Sequence, residues 1–227
     1  MSAAPRDWDA SRYDRLSDPQ VRMALPVLDR LTMRGDESVL DAGCGSGRVT
    51  KLLLERGARV VAVDGDASMV AKAREELPED VPVLHQDLLE LDLPAPVDVV
   101  FSCAVFHWIT DHERLFANLR AVLRPGGRLV AQCGGHGNIA HVLEEVGERP
   151  GTWLYATAED SERRLREAGF TQARAWLEPK PTHVADMETY LATVVLHGDP
   201  DARAKAAAAA PRLDHLDYVR LNIDAVA

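Results

Sequence analysis

The chain has 227 residues, 46% of them hydrophobic, which suits one domain of the larger kind with a sizeable core. Its 26 basic and 36 acidic residues give a formal net charge of −10, which disfavours nucleic acid as a main partner and points to a small-molecule substrate. Cys44, Cys103 and Cys133 are isolated and odd in number, so neither a disulfide framework nor a structural zinc site is expected. The N-terminal MSAAPRDWD has no apolar h-region, and no stretch approaches the roughly 18 apolar residues of a membrane span. These features lead to the expectation of a soluble cytoplasmic protein with no membrane segment, either monomer or homodimer.

Residues 1–18 are polar apart from Trp8 and Tyr13. Asp18 and Pro19 then start a helix to about Leu31, with Val21, Ala24, Leu25 and Leu28 at helical spacing and Pro26 expected to kink it or shift its start. Ser38 to Leu40 is a short apolar strand, followed by Asp41 and by Gly43, Gly45 and Gly47 on alternate positions. A helix follows from about Arg48, capped by Gly57. Arg59 to Val63 is a β-branched run ended by Asp64, and Asp66 caps a helix carrying Met69, Val70 and Ala73.

Val81 to His85 is the third strand, and Val97 to Phe101 is a nearly unbroken apolar strand of the kind buried on both faces. Thr110 with Glu113 reads as a capping box for the next helix, and Pro125-Gly126-Gly127 turns the chain into a strand from Arg128 to Gln132. Five strands alternating with helices define an α/β, doubly wound, parallel sheet. Beyond them the sequence predicts a glycine loop (134–137), helices over 139–146 and 159–168, a strand over 170–177, an amphipathic segment over 187–196 and a last strand over 218–226. The alanine run 206–210 has strong helix propensity and no functional signal of its own.

The glycine turn carries the chemistry. A strand, a glycine turn and a helix bring backbone N–H groups and a positive helix end up to a ligand. The dinucleotide fingerprint needs a third glycine where this chain has Arg48, and a carboxylate directly before the turn is a poor neighbour for a pyrophosphate. Asp41 instead suits a ligand that is positive there, and the ammonium and sulfonium of S-adenosylmethionine fit. Asp64, ending the second strand, is placed to accept from two ribose hydroxyls. Met69 either packs on an adenine or belongs to the core. Asp87, at the end of the third strand, can accept from an adenine amino group while the Leu88 N–H donates to the ring.

VLDAGCGSG, VVAVDGD, HQDLLEL, VDVVFSCAVFHW and LRPGGRLV, in this order over about residues 36–133, resemble the ordered motifs of class I S-adenosylmethionine-dependent methyltransferases. WDASRYDRLS and FHWITDHERLFANLRAVLRPGG resemble segments of the trans-aconitate methyltransferase group within that class. The resemblance implies a Rossmann-like, seven-stranded, mostly parallel sheet with an antiparallel last strand and a helical lid. It implies one domain over 1–227, with an N-terminal lid and helix (1–34), a cofactor-binding core (36–133) and a substrate-side insert with the last strands (134–227). S-adenosyl-L-methionine is the implied cofactor.

The implied cofactor-binding residues are Tyr13, Arg22, Asp41, Gly43, Cys44, Gly45, Asp64, Gly65, Met69, Gln86, Asp87, Leu88 and Cys103. Arg22 would pair with the cofactor carboxylate, Tyr13 and Trp8 would close over it, and Cys103 stands where the group often has Asn. His107 and Trp108 follow the fourth strand, where the methyl acceptor should approach. An ionised carboxylate acceptor needs no general base, whereas a phenol or hydroxyl would make His107 the first catalytic suspect. His136 and His141 are weaker pocket candidates, and arginines 6, 12, 15 and 149 lie in the lid segments without a spacing that chooses among them. No aspartate cluster for a catalytic metal is evident, so a metal-independent reaction is expected. A natural-product or quinone-type O- or C-methyltransferase, or a cofactor-binding protein without transfer activity, are the competing readings.

Overall fold

The computed structural model describes residues 18–147, 153–196 and 199–227, with side chains from Met23 onward. Helix α1 (Asp18–Asp29) leads into β1 (Ser38–Ala42), α2 (Arg48–Glu55), β2 (Arg59–Asp64), α3 (Ala67–Glu76) and β3 (Val83–His85). Then come β4 (Val97–Cys103), α4 (His112–Ala121), β5 (Leu123–Gly134), α5 (Ala140–Glu145), α6 (Ala158–Glu167) and β6 (Gln172–Thr182). The chain closes with α7 (Met187–Tyr190), a π-helical segment Leu191–Val195, α8 (Ala202–Ala209) and β7 (Leu216–Val226). The seven strands form one sheet in the order β3-β2-β1-β4-β5-β7-β6. The first five are parallel and β7 runs antiparallel to both its neighbours, as the sequence predicts.

Residue alternation along the strands decides which helices cover which face. Val39, Val99, Phe101 and Val130 point to one side, against Val27 and Leu28 of α1 and Leu53 of α2. Leu40, Val100 and Leu129 point to the other, against Leu115, Phe116 and Leu119 of α4 and Leu165 of α6. Both faces are covered, which accounts for the unbroken apolar run of β4. Arg30, just after α1, fixes that helix to the sheet. Its Nε donates to Asp224 at 3.1 Å, Nη1 to Asn222 Oδ1 at 2.6 Å and Nη2 to the Ala131 carbonyl at 2.8 Å.

Four local expectations need correction. Helix α1 starts at Asp18 and continues through Pro26, so Pro26 does not shift its start, and its buried face is Met23, Ala24, Val27 and Leu28, leaving Leu25 exposed. The cap of α4 is Asp111, not Thr110, because its carboxylate accepts the Arg114 N–H at 2.9 Å and favours the positive helix end. Strand β5 begins at Leu123, and residues 125–127 loop out between the Val97–Leu123 and Val99–Arg128 pairs. Strand β6 continues past Leu177 to Thr182 through Pro179 and Pro181, which an edge strand tolerates because one side of its ladder is unpaired.

A second, smaller apolar cluster caps the ends of β5 and β7. Residues 187–213 supply most of it, including Tyr190, Leu191, Val195, Ala206 and Ala209, joined by Met23 of α1 and Val142 and Leu143 of α5. The alanine run is therefore a close-packing face. Residues from the segment between β6 and β7 thus pack with those of α5, which follows strand five.

Between β1 and β4 the strand order reverses, and in doubly wound sheets the crevice at the carboxyl ends of such neighbours binds the ligand. Here the two strand ends touch. A Cβ on Gly43 would lie 2.2 Å from Val105 Cγ2, and Gly43 has φ +83°. Gly43→Ala is expected to destabilise the protein by about 2–4 kcal/mol, combining a left-handed alanine with overpacking. Gly43→Ala with Val105→Ala should recover the steric part only. Urea denaturation of the wild type and the two variants checks this, and a single-variant loss below about 1 kcal/mol would contradict the close approach.

Candidate active site

The glycine turn adopts φ +83°, +55° and +84° at Gly43, Gly45 and Gly47. Sequence reasoning expects its N–H groups to face a ligand, but these are used internally. Gly43 and Cys44 both donate to the Val63 carbonyl, at 2.8 and 3.0 Å, and Gly47 donates to that of Cys44. Gly45 donates to Asp64 Oδ2 at 2.8 Å. The turn instead offers space: a Cβ on Gly45 would meet nothing within 4 Å, and one on Gly65 only the Gln86 carbonyl at 3.8 Å. This is an open cradle without a phosphate-type ring of free donors.

Two carboxylates face this cradle. Asp41 is 2% exposed and accepts from Thr50 Oγ1 at 2.7 Å. Burial pushes its pKa up to about 7, opposed by the Thr50 bond and assisted by the charge of Asp64. Asp64 is raised by burial as well, while the N–H bonds from Asp66 and Gly45 oppose the rise. Asp66 caps α3 by accepting from Ser68 and Met69, and the Met69 side chain is buried.

At the end of β3, Gln86 is tied to its own loop. Its Nε2 donates to the Asp92 carbonyl at 3.0 Å and its Oε1 accepts the Asp92 N–H at 3.1 Å. Asp87 accepts the Leu89 N–H at 2.9 Å and so starts the 3-10 turn Leu88–Glu90, with Leu88 buried. Cys44 is buried in the α3 side cluster, and its thiol is raised by burial and the two aspartates. Cys103, ending β4, is pushed up to about 11 by burial. Neither is a poised nucleophile.

Beside the cradle lies a cleft whose lining includes Cys103, His107, Trp108, Trp153, Tyr155 and Arg220. Ala104 enters it at φ +63°, held by its N–H to the Gln132 carbonyl at 2.7 Å. His107 is buried, and its Nδ1 accepts the Gly134 N–H at 3.3 Å. A neutral ring so held carries its proton on Nε2. Trp108 and Tyr155 flank the ring, with centroids at 4.9 and 6.0 Å. Trp153 meets Trp108 edge-on at 5.4 Å.

The fold thus brings Asp41, Gly43, Cys44, Gly45, Asp64, Gly65, Met69, Gln86, Asp87, Leu88 and Cys103 to the carboxyl ends of β1–β4, next to His107. Tyr13, Trp8 and arginines 6, 12, 15 and 149 lie outside the described residues, as does the side chain of Arg22. His136 and His141 are exposed and do not line the cleft. Two residues were missed. His112 is 2% exposed and its Nε2 donates to the Phe106 carbonyl at 2.9 Å, fixing the 3-10 turn that carries His107. Arg220, 5% exposed in β7, lines the cleft. Its local pattern, an arginine flanked at ±2 by Tyr218 and Asn222, gains meaning only once β7 is seen to be buried on both faces.

An open glycine cradle, acids ending β1 and β2 and an adjoining aromatic cleft define a doubly wound nucleotide-type binding protein whose ligand is not a pyrophosphate. Residues 40–131 match the methyltransferase domain family. Trans-aconitate 2-methyltransferase of Methylobacterium nodulans is 35% identical over 176 residues, covering 75% of this chain and 67% of that protein. The Azoarcus sp. trans-aconitate 2-methyltransferase is 40% identical over 149 residues, 64% of this chain, which spans 58% of that relative's length. Among solved structures, Haemonchus contortus phosphoethanolamine N-methyltransferase 2 in complex with S-adenosyl-L-methionine aligns over 96% of this chain and 56% of that one, with a TM-score of 0.69 at 20% identity. A Mesorhizobium loti S-adenosylmethionine-dependent methyltransferase aligns over 89% and 96%, with a TM-score of 0.62 at 21% identity. This chain belongs to the S-adenosyl-L-methionine-dependent methyltransferase family, and S-adenosyl-L-methionine is its cofactor. No helix among the described residues is long and apolar enough to cross a membrane.

The raised Asp41 has a consequence for stability. The folded state holds this proton up to about pH 7, against an ordinary value of 3.8, so the carboxyl becomes progressively destabilising as pH rises through that window. Asp41→Asn is expected to raise Tm by about 2–4 °C at pH 8 and by less at pH 5. Thermal scans at the two pH values check this, and an equal shift at both would contradict the titration.

Proposed function

We propose that this protein transfers the methyl group of S-adenosyl-L-methionine to a carboxylate oxygen of a small organic acid. The observation that carries this reading is the state of His107. Its Nδ1 accepts from Gly134 inside the cleft, so that nitrogen is already occupied where a phenol or alcohol acceptor would need a base. A carboxylic acid, with a pKa of about 4, is already ionised at neutral pH and needs none. The trans-aconitate 2-methyltransferases among the relatives support the same acceptor class.

The open space at Gly45 fits the methionine part of the cofactor, and Asp41 fits its ammonium. Asp64 has carboxylate lone pairs beyond the two N–H bonds it accepts, which suits the ribose hydroxyls. Met69, Asp87 and the Leu88 N–H would hold the adenine, while Gly65, Gln86 and Cys103 border it through main chain. Tyr13 and Arg22 would complete the site from the N-terminal segment. The whole span 1–227 acts as one methyltransferase domain in this reading.

When bound, the cofactor supplies an electrophilic methyl on a good sulfur leaving group. The residues of the chain supply alignment and exclude water. Ala104 and the 106–108 turn hold the acceptor side in register with the cradle, and no proton has to move. Three unpaired cysteines, buried or half-buried, suit a reducing cytoplasm, and the net charge of −10 suits a small molecule over nucleic acid.

Calorimetry with S-adenosyl-L-methionine, followed by methyl-transfer screening over small acids and phenols, tests the proposal. Micromolar binding with turnover of an acid is the expected result; turnover of phenols alone would overturn the acceptor class. Gly45→Asn, which keeps a residue tolerant of positive φ but fills the cradle, should weaken cofactor binding at least tenfold while leaving Tm within a few degrees. His107→Ala should lower kcat on the acid by less than about tenfold, because base catalysis typically contributes 10²–10⁴-fold. A loss above a hundredfold would mean that His107 acts as a base.

A further inference from the structure

Arg220 is an anomaly by ordinary rules of burial. A guanidinium stays charged in any protein environment, and burying it without a carboxylate or a full set of acceptors is costly. At 5% exposure it makes no ion pair among the described residues, and its Nε reaches no acceptor. The nearest acid across the β6–β7 ladder, Glu178, is engaged elsewhere: Lys180 Nζ lies 3.5 Å from one oxygen and Asn222 Nδ2 donates to the other at 3.4 Å. Tyr218 gives only ring contact, 5.5 Å from the guanidinium carbon. That stacking, about 0.5–2 kcal/mol at best, does not replace a counter-ion.

A second orphan stands in the same cleft. The indole Nε1 of Trp153 is buried and has no acceptor. Both orphans are donors. The charge of Arg220 reaches the cleft wall, since it opposes the upward shifts of Cys103, Cys133, Tyr155 and Tyr218. The rest of the lining mixes aromatic rings with aliphatic side chains such as Met23, Val194 and Val195 and, among the described residues, holds no acid.

We propose that Arg220 is the specificity-determining anchor for one carboxylate of the acceptor, and that this anchored carboxylate is not the one methylated. The second half follows from charge. A carboxylate loses its negative charge as its oxygen takes the methyl, so a fixed buried cation on that same group would favour the ground state over the transition state. The anchored group is one that stays ionised throughout. The methylated oxygen forms its C–O bond as the C–S pair goes to sulfur, and no proton or further reactant is needed. The acceptor therefore carries at least two carboxylates, with its body beside Trp108, Trp153 and Tyr155. This rests on the methyltransferase reading above and adds the residue and the group that it holds.

The test uses the full chain saturated with S-adenosylhomocysteine and three probes: trans,trans-muconate, its monomethyl ester and its dimethyl ester. Calorimetry on wild type, Arg220→Met and Arg220→Lys gives the affinities. Muconate and the monoester should bind wild type and lose at least tenfold in Arg220→Met, with partial retention in Arg220→Lys, which keeps the charge without the planar fork. The diester should bind all three alike, and affinity for S-adenosylhomocysteine should stay within twofold. Tm of Arg220→Met should be unchanged or higher, because an unpaired buried charge is removed. Acids that fail to bind wild type, or that bind Arg220→Met equally well, overturn the anchor; so does a diester that loses as much as the acids, or a fall in Tm with affinities unchanged. Failure of S-adenosylhomocysteine itself to bind wild type would instead overturn the cofactor-site reading.

Discussion

The contact between Gly43 and Val105 is the constraint on which the site depends. It brings the end of β1 against the segment leaving β4 so closely that one backbone must lack a side chain. Ser102 Oγ, donating to the Ala42 carbonyl at 2.7 Å, closes the same seam just before the contact on each strand. With the two ends joined, the chain after β4 has one way out: Ala104 turns through left-handed space, where a non-glycine residue costs about 1–2 kcal/mol. The 106–108 turn then lands over β5, where His107 meets the Gly134 N–H and His112 locks the turn from below. The cradle and the cleft are neighbours because of that seam.

The first half of the chain was legible because each element is specified locally. Apolar runs of the right length, glycines at left-handed positions and aspartate caps all act within a few residues, and β1 to β5 followed from them. What the sequence hid depends on partners far away. Pro179 and Pro181 read as the end of a strand, and only the knowledge that β6 is an edge strand lets it continue. The alanines of α8 read as bare propensity until a second cluster is there to pack on. Arg220 was hidden for the same reason: alternation in β7 picked out Val219, Leu221 and Ile223, and the opposite face gains meaning only when the cleft beneath it is known.

The glycine turn shows where motif reasoning and geometry part. The spacing was read as a device for presenting N–H donors, yet Gly43, Cys44, Gly45 and Gly47 all donate within the turn or to the end of β2. A phosphate would find few donors here. A sulfonium ligand with an ammonium asks for the reverse, namely room and acids, which Gly45, Asp41 and Asp64 provide. Arg48 and Asp41 disfavour a pyrophosphate by sequence, and the internal hydrogen bonds of Gly43, Cys44, Gly45 and Gly47 disfavour it for an independent reason.

Charge is distributed to match that preference. Raised aspartates stand at the ends of β1 and β2, a guanidinium whose Nε has no acceptor stands in β7, and Trp108, Trp153 and Tyr155 line the cleft that it enters. In the proposed reaction a cation and an anion combine into two neutral products. Water solvates separated ions better than a transition state in which the charges are cancelling, so each water molecule kept out lowers the barrier. Coulombic attraction between the reacting partners is also several-fold stronger in a site of low polarity than in bulk water. Walls of Trp108, Trp153 and Tyr155 are then part of the chemistry rather than inert lining. They need neither a base nor a metal to act, only a second charged group on the acceptor to hold it still while the first is neutralised.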